Sequence, residues 1–489
     1  MGQCATSIFA EKRQVLQRVR GIRAREDHSL GNARLVGHLD LWDEYERTDE
    51  VLGSGLNGQV VRIVSRRKEE CLEFALKEIR KEGKLNEELM VCLDLDHVNI
   101  VRLFEIYESD TSLFLVVELC RGGDLFARLQ SGARFNEVEA TYIIAQILRA
   151  VNYMHSLDIV HGDLKLENFL LSNGGNVFKQ TVKLIDFGFS HRGGGTVKGG
   201  SLQYMAPEKF IEGKETPKSD IWSVGVIAFM LLTGKALFSQ ETIRSREKMI
   251  FAQKDINEKL EFLSPDAIDF VSNCCLRVDP LQRATAREAL AHRWLRGMTV
   301  KRMSSKLSIV SETQRVLNLL VQFSQLGALK RASFGLIALV CPPPSLVPTA
   351  PAVFDLIDTN CDGFIQECEL MEIFKAHDME ISPNFFASLD LSGDHRINYS
   401  EFLAATEVLS NVLHTENNVL SPIYISIIKS VFRKLDRDNS GYISRQNLRD
   451  LFGTKGFQGS SNSKMLKEGD FTGDGHISES EFFSLIISC

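Results

Sequence analysis

Over residues 45–81 apolar and polar positions alternate in short runs around a glycine cluster, a period-two pattern that predicts antiparallel strands. From about Phe135 the period lengthens, and stretches 140–155 and 221–233 repeat their apolar residues at helical spacing. A strand-rich unit therefore precedes a helical one. Between Arg296 and Cys341, Val316, Leu320 and Phe323 fall on one helical face, followed by the basic pair Lys330 and Arg331 and a second apolar stretch. Pro342, Pro343, Pro344, Pro348 and Pro351 then interrupt any helix and leave little room for one ahead of the next unit. Beyond them an acidic loop pattern recurs four times, starting at Asp358, Asp390, Asp436 and Asp470, so the C-terminal third reads as internal repeats.

A chain of 489 residues is too long for one ordinary core, and two or three domains are expected. The net charge of -7, with no basic stripe interleaved with aromatics, argues against nucleic acid as a partner. Ten cysteines scattered without paired metal spacing read as reduced, mostly buried thiols of an intracellular protein. The longest apolar stretches, 225–232 and 334–340, fall well short of the roughly 20 residues of a membrane helix, and no secretory signal is visible. The start Met-Gly-Gln-Cys-Ala-Thr fits myristoylation of Gly2, with Cys4 as a candidate second acylation site. One myristoyl chain holds a membrane only marginally, so a palmitate on Cys4 or the cluster Arg13, Arg18, Arg20, Arg23 and Arg25 would supply the second hold. The expectation is a cytoplasmic protein attached to the cytosolic membrane face.

Gly53-Ser54-Gly55-Leu56-Asn57-Gly58-Gln59-Val60 fits a loop whose backbone N–H groups can close over a triphosphate. Alone it is indistinguishable from a hairpin turn; Lys77, in Phe-Ala-Leu-Lys on a later strand, can hold the α- and β-phosphates and changes the odds. Asp163 in His-Gly-Asp-Leu-Lys-Leu-Glu-Asn, Asp186 in Asp-Phe-Gly, and Ala206-Pro207-Glu208 follow in order. Through these motifs the stretch from Tyr45 to Leu295 resembles the eukaryotic protein kinases. The resemblance implies that Glu88, nine residues before His97, pairs with Lys77. It further implies that Asp163 orients the attacking hydroxyl, Lys165 offsets charge on the transferring phosphoryl, and Asn168 and Asp186 hold magnesium. By the same resemblance Glu118 and Cys120 belong to the adenine-contacting hinge behind Val117, while Asp124 and Glu167 contact the ribose and basic residues of the substrate. Arg283 is expected to pair with Glu208. Lys165 and Gly200-Ser201 resemble serine/threonine rather than tyrosine kinases. Gly162 stands where many kinases carry an arginine that pairs with a phosphorylated activation loop; phosphorylation between Asp186 and Glu208 is therefore not expected to be the main switch.

A twelve-residue calcium loop needs oxygen donors at positions one, three and five, a backbone carbonyl at seven, glycine at six and a bidentate glutamate at twelve. Loop one offers Asp358, Asn360, Asp362, Phe364 and Glu369; loop two offers Asp390, Ser392, Asp394, Arg396 and Glu401, with His395 at the glycine position. Loop three has Asp436, Asp438, Ser440 and Tyr442 but ends in Asn447, which cannot give two carboxylate oxygens. Loop four is complete with Asp470, Thr472, Asp474, His476 and Glu481. Isoleucines at position eight, Ile365, Ile397, Ile443 and Ile477, suit the small bridge of paired loops.

Kinase, junction and four EF-hands in this order resemble the calcium-dependent protein kinases of plants and alveolate protists. The fold expected is an α+β two-lobed kinase at 45–295, after a basic tail at 1–44 and before a junction and proline-rich linker at 296–351, ending in an all-α calmodulin-like domain at 352–489. The resemblance implies a calcium-activated kinase using ATP, magnesium and calcium on protein Ser/Thr hydroxyls, monomeric and favouring basic residues N-terminal to the target. It also implies a junction that obstructs the cleft until calcium withdraws it. A scaffold with a dead kinase domain and a kinase governed by separate calmodulin are the competing readings; the first would need a missing catalytic group, and none is missing.

Overall fold

The computed structural model describes residues 34–37, 41–55, 58–66, 72–81, 85–132, 135–193, 195–196, 199–238, 256–296, 306–340, 350–413, 421–454 and 456–488. Gly2, Cys4, Leu56 and Asn57 lie outside them.

The alternating stretch forms the hairpin Tyr45–Gly55 and Gly58–Ser65, with Gly55 opposite Gly58, followed by Glu73–Arg80. In space the six small-lobe strands run Leu35–Gly37, Leu103–Glu108, Ser112–Val117, Glu73–Arg80, Gly58–Ser65, Tyr45–Gly55. One sheet face packs Val61, Ile63, Phe74 and Leu76 against Phe104 and Val116; the other packs Ile79, Ile106, Leu113 and Leu115 against Leu89 and Leu93 of helix Leu85–Asp94. Slipping any strand by one residue would exchange these faces, which pins the register. Residues 34–44, read from the sequence as tail, contribute strand Leu35–Gly37, parallel to Leu103–Glu108, and helix Leu41–Glu44 with Leu41 buried. Elements this short span too few positions to register as a period.

The large lobe is built on helices Glu137–Ser156 and Pro217–Thr233. Asn136 and Glu139 form a capping box on the first, satisfying N–H groups that a helix start leaves orphaned. The second is buried almost all round and stops at Gly234 in the left-handed region.

The junction folds as helices Lys306–Ser324 and Ala328–Val340. Val316, Leu317, Leu320 and Phe323 are fully buried in one core with Phe354, Phe402, Phe432 and Phe482 of the repeat domain. The Glu468 carboxylate accepts from the backbone N–H groups of Ala328 (3.2 Å) and Leu329 (2.8 Å), placing an anion at the start of the second helix. Arg331 donates to the Gln458 side chain (3.0 and 2.8 Å), and the Gln458 amide donates to the carbonyls of Ala387 (2.9 Å) and Asp390 (2.8 Å). Gln458 thereby ties the junction to both halves of the repeat domain.

The proline-rich stretch was expected to crowd out the first helix of the first hand, but helix Ala350–Ile357 is present. Pro351 lies in its first turn, where the missing N–H costs nothing. The expected division at 351/352 thus falls inside this helix, and Pro342, Pro343, Pro344 and Pro348 lie outside the described residues.

The repeat domain also packs on the kinase domain. Arg149 pairs with Asp355 (3.3 Å), Asn152 donates to the Cys361 carbonyl, the Ser400 N–H donates to Asp96 (3.0 Å), and Lys434 pairs with Glu105 (2.9 Å). Phe364 is part of the large-lobe core, and Val98 part of the repeat-domain core, so the surfaces interlock.

Candidate active site and calcium-binding loops

Strand Glu73–Arg80 delivers Lys77 to the cleft between the lobes. Its Nζ lies 3.0 Å from Glu88 and 2.9 Å from Asp186. Burial disfavours the ammonium, but Asp186 and Glu88 outweigh it and raise Lys77 above its ordinary value. Burial likewise opposes the Asp186 carboxylate, and Lys77 reverses the balance, leaving Asp186 below its ordinary value. Both groups are therefore charged at neutral pH, as phosphate and metal binding require. Glu88 is the lysine's partner; the side chain of Glu87 lies outside the description.

Asp163 accepts from Lys165 (2.7 Å) and from the Ser201 N–H (2.7 Å), and Lys165 also donates to the Ser201 hydroxyl (3.2 Å). The Asn168 amide nitrogen donates to the Asp163 carbonyl (2.8 Å), leaving its oxygen as the donor suited to magnesium. Asp186, at φ 64, sits in the left-handed region rarely taken by aspartate, a strain held at the cleft by its pairing with Lys77. Beneath the loop, buried Asp220 accepts from the backbone N–H groups of His161 (2.9 Å) and Gly162 (3.0 Å) and from His155 (2.9 Å). Glu208 and Arg283 form a two-point pair (2.7 and 3.1 Å), the geometry that favours arginine. Gly53, Ser54, Gly55, Gly58 and Val60 line the hairpin above Lys77, with Val60 directly opposite it.

Two residues assigned to nucleotide contact, Glu118 and Asp124, have side chains with other work. Glu118 pairs with Lys183 (2.8 Å), and its backbone N–H donates to the Arg102 carbonyl (2.9 Å). Asp124 caps helix Leu125–Gln130 through the Ala127 N–H (2.7 Å). Burial pushes the Cys120 thiol up to about 12, keeping it neutral and unreactive. Glu167 accepts from the Tyr204 hydroxyl (3.3 Å).

In all four calcium loops the first aspartate accepts from the N–H at position six: Asp358 from Gly363 (2.9 Å), Asp390 from His395 (2.9 Å), Asp436 from Gly441 (2.8 Å), Asp470 from Gly475 (2.9 Å). Position six is left-handed in each, including His395 at φ 64, which takes the strained conformation its sequence position demands. Glu369, Glu401 and Glu481 are oriented with one oxygen on the loop start and the other on the N-cap of the helix that leaves the loop: Glu401 on Ser392 (2.7 Å) and Asn398 (2.8 Å), for example. Burial, reinforced by Asp362 and Glu369, pushes the Asp358 carboxyl up to about 8, the signature of a negative cluster built for a cation. Loop three differs as its sequence implies. Asn447 accepts from Ser444 and its amide nitrogen donates to Asp438 (3.3 Å), spending on a hydrogen bond the position where the other loops offer a carboxylate. Ile365 bridges Ile397, and Ile443 pairs with Ile477, so the loops form two pairs. The donor sets of loops one, two and four fit calcium; Asp358, Asn360, Asp362, Phe364 and Glu369 would hold it in loop one.

The arrangement is a two-lobed phosphotransferase core coupled to two EF-hand pairs. The protein kinase domain family matches residues 46–295, and the EF-hand domain pair family matches 351–407 and 426–487. The chain is 30% identical over 472 residues to Calcium-dependent protein kinase 5 of Plasmodium falciparum, covering 92% of this chain and 79% of that protein. It is 29% identical to that organism's Calcium-dependent protein kinase 4 over 511 aligned residues (99% and 93%), and 30% identical to Calcium-dependent protein kinase 34 of Arabidopsis thaliana over 440 (85% and 79%). The chain belongs to the calcium-dependent protein kinases, serine/threonine kinases that use ATP with magnesium and bind calcium on their own EF-hands.

Sequence reasoning found the charged residues of the cleft and loops through their spacing. It missed Lys209 and Glu215, which lie against Gly162, and the contact surface between Tyr153 and the first calcium loop. A lysine directly after Ala-Pro-Glu was the only visible hint of the former.

Proposed function

We propose that calcium controls this kinase by moving the junction between the catalytic cleft and the EF-hand grooves, and that the arrangement described above is the withdrawn, active one. The observation that carries this is the complete burial of Val316, Leu317, Leu320 and Phe323 among EF-hand helices. Helix Ala328–Val340 packs near strand Leu103–Glu108, three and four places across the sheet from the two strands of the glycine hairpin, which supports a cleft free of the junction. An apolar helix face needs an apolar partner in either state, and the open EF-hand groove supplies one when calcium is bound.

The deciding experiment measures peptide phosphorylation by the purified full chain in chelator and in calcium, beside Glu369→Gln plus Glu481→Gln. Calcium should activate the native enzyme and fail on the double variant. Full activity in chelator, or dependence on added calmodulin, defeats the reading.

The enzyme's substrates would carry arginine or lysine N-terminal to the target hydroxyl, with Glu167 as the recognising carboxylate; equal phosphorylation of peptides with that arginine changed to alanine removes this reading. Acylation at Gly2 and Cys4 would place the monomeric enzyme on the cytosolic membrane face. Gly2→Ala should release it to the soluble fraction, and an unmodified N-terminus by mass spectrometry defeats the reading.

A further inference from the structure

Lys209 follows Glu208 on helix Pro207–Glu212, and Glu215 lies on strand Lys214–Glu215 just beyond it. Their side chains are 4% and 0% exposed, with Lys209 Nζ 2.5 Å from Glu215 Oε1. The same Nζ donates to the carbonyl of Gly162 in the catalytic loop (2.6 Å). A lysine and a glutamate withdrawn from water together lose more hydration than an apolar pair would, so packing alone does not explain their presence. Glu215 Oε2 strengthens the point: it is buried with no hydrogen-bond partner among the described residues, and His191 Nδ1 lies 4.0 Å away.

The surroundings are shaped to this pair. Gly162 has φ +79, and a Cβ there would fall 2.4 Å from Glu215 Oε1. Gly200 has φ +101, and a Cβ there would lie 3.1 Å from Lys209 Nζ and 3.2 Å from the Gly162 carbonyl. Next to Gly200, Ser201 donates its N–H to Asp163. Strand Lys214–Glu215 pairs with Gly195–Thr196 of the activation segment. One ion pair thus reaches the catalytic loop, the turn that orients Asp163, and the strand that anchors the activation segment.

We propose that Lys209 and Glu215 are positioning residues for phosphoryl transfer: their buried pair, closing on Gly162, holds the catalytic loop and activation segment in register through side chains of the chain itself. Where a phosphorylated kinase draws these segments together on an added anion, here Glu215 is the anion and Lys209 the cation, and the glycines at 162 and 200 make room for them. Lys209 acts through the Gly162 carbonyl on the loop carrying Asp163, and touches no reacting atom. The inference rests on the kinase chemistry and is independent of how calcium moves the junction.

The test uses the full chain saturated with calcium, with rates referred to ATP-binding sites titrated in the same preparation, so that misfolded protein does not count. Lys209→Met should lower kcat at least fivefold with KM for ATP, and the calcium concentration for half-activation, within twofold of the native enzyme. Lys209→Met with Glu215→Met removes the stranded charge and should restore the thermal unfolding midpoint to the native value or above, while kcat stays at least fivefold down. Retention of kcat within fivefold by the single variant overturns the proposal. So does recovery of kcat along with stability in the double variant, which would make the pair structural only.

Discussion

The ring of Tyr153, on the long helix of the large lobe, lies 5.3 Å from that of Phe364 in the first calcium loop. The loop approaches so closely that a Cβ on Gly363 would fall 2.3 Å from Tyr153 Cδ2. Two residues beyond Tyr153, His155 pairs with Asp220, which holds the backbone of the catalytic loop. A calcium-binding loop and the support of the catalytic base therefore share one packed path.

Phe364→Ala tests that path. Removing a buried phenylalanine ring costs about 3–5 kcal/mol in a core, and here the loss falls on docking, because the calcium ligand at this position is a backbone carbonyl. Calorimetry should find calcium stoichiometry unchanged, while the calcium needed for half-maximal activity rises at least fivefold. An unchanged activation curve would show that the contact carries no coupling.

Asn447→Glu should add a tight calcium site. Native protein is expected to bind three calcium ions tightly, through loops one, two and four, and the variant four, since a glutamate supplies the two oxygens that the Asn447 amide cannot. Equilibrium titration counts them, and four tight sites in the native protein would refute the reading of loop three.

The Lys434–Glu105 pair gives the docked arrangement a definite pH dependence. Burial raises Glu105, but Lys434 together with the hydroxyls of Tyr107 and Tyr45 outweighs it and brings the carboxyl below its ordinary value. A depressed carboxyl contributes stability above the unfolded value of about 4.3 and loses it as pH falls through the folded one. The contribution of this pair to docking should therefore be constant between about pH 6 and 8 and be lost only in acid. Lys434→Met strands the buried carboxylate at a cost of about 3–5 kcal/mol, leaves burial to raise Glu105, and reverses the slope, so that docking weakens as pH rises. Hydrogen exchange of strand Leu103–Glu108 across pH reads both.

Gly162→Arg should inactivate the enzyme rather than make it dependent on phosphorylation. The new Cβ would collide with Glu215, and the φ of +79 suits glycine alone. Activity restored by phosphorylating the variant's activation segment would contradict the geometry.

Much of this protein is written locally. Lys77, Asp163, Asn168 and Asp186 stand at spacings that phosphoryl transfer imposes, and calcium geometry demands a donor at every second position of a tight loop, so Asp358 or Glu481 can be recognised within a dozen residues. His395 shows the same rule from the other side, since its left-handed φ follows from where it stands in the loop. Helix Ala350–Ile357 escaped notice because proline at a helix start and proline in a linker look alike without the flanking fold. Strand Leu35–Gly37 escaped for a different reason: three residues carry no period, and only the sheet edge at Leu103–Glu108 makes them a strand.

By itself, then, the sequence determined the chemistry and the order of the domains, because catalytic and calcium-binding groups sit on short continuous motifs. Tertiary structure alone decided where the junction packs, that Phe364 enters the kinase core, and that Lys209 and Glu215 close over Gly162. Those relations join residues up to about two hundred positions apart, and burial and charge pairing across such distances leave no period for a sequence to display.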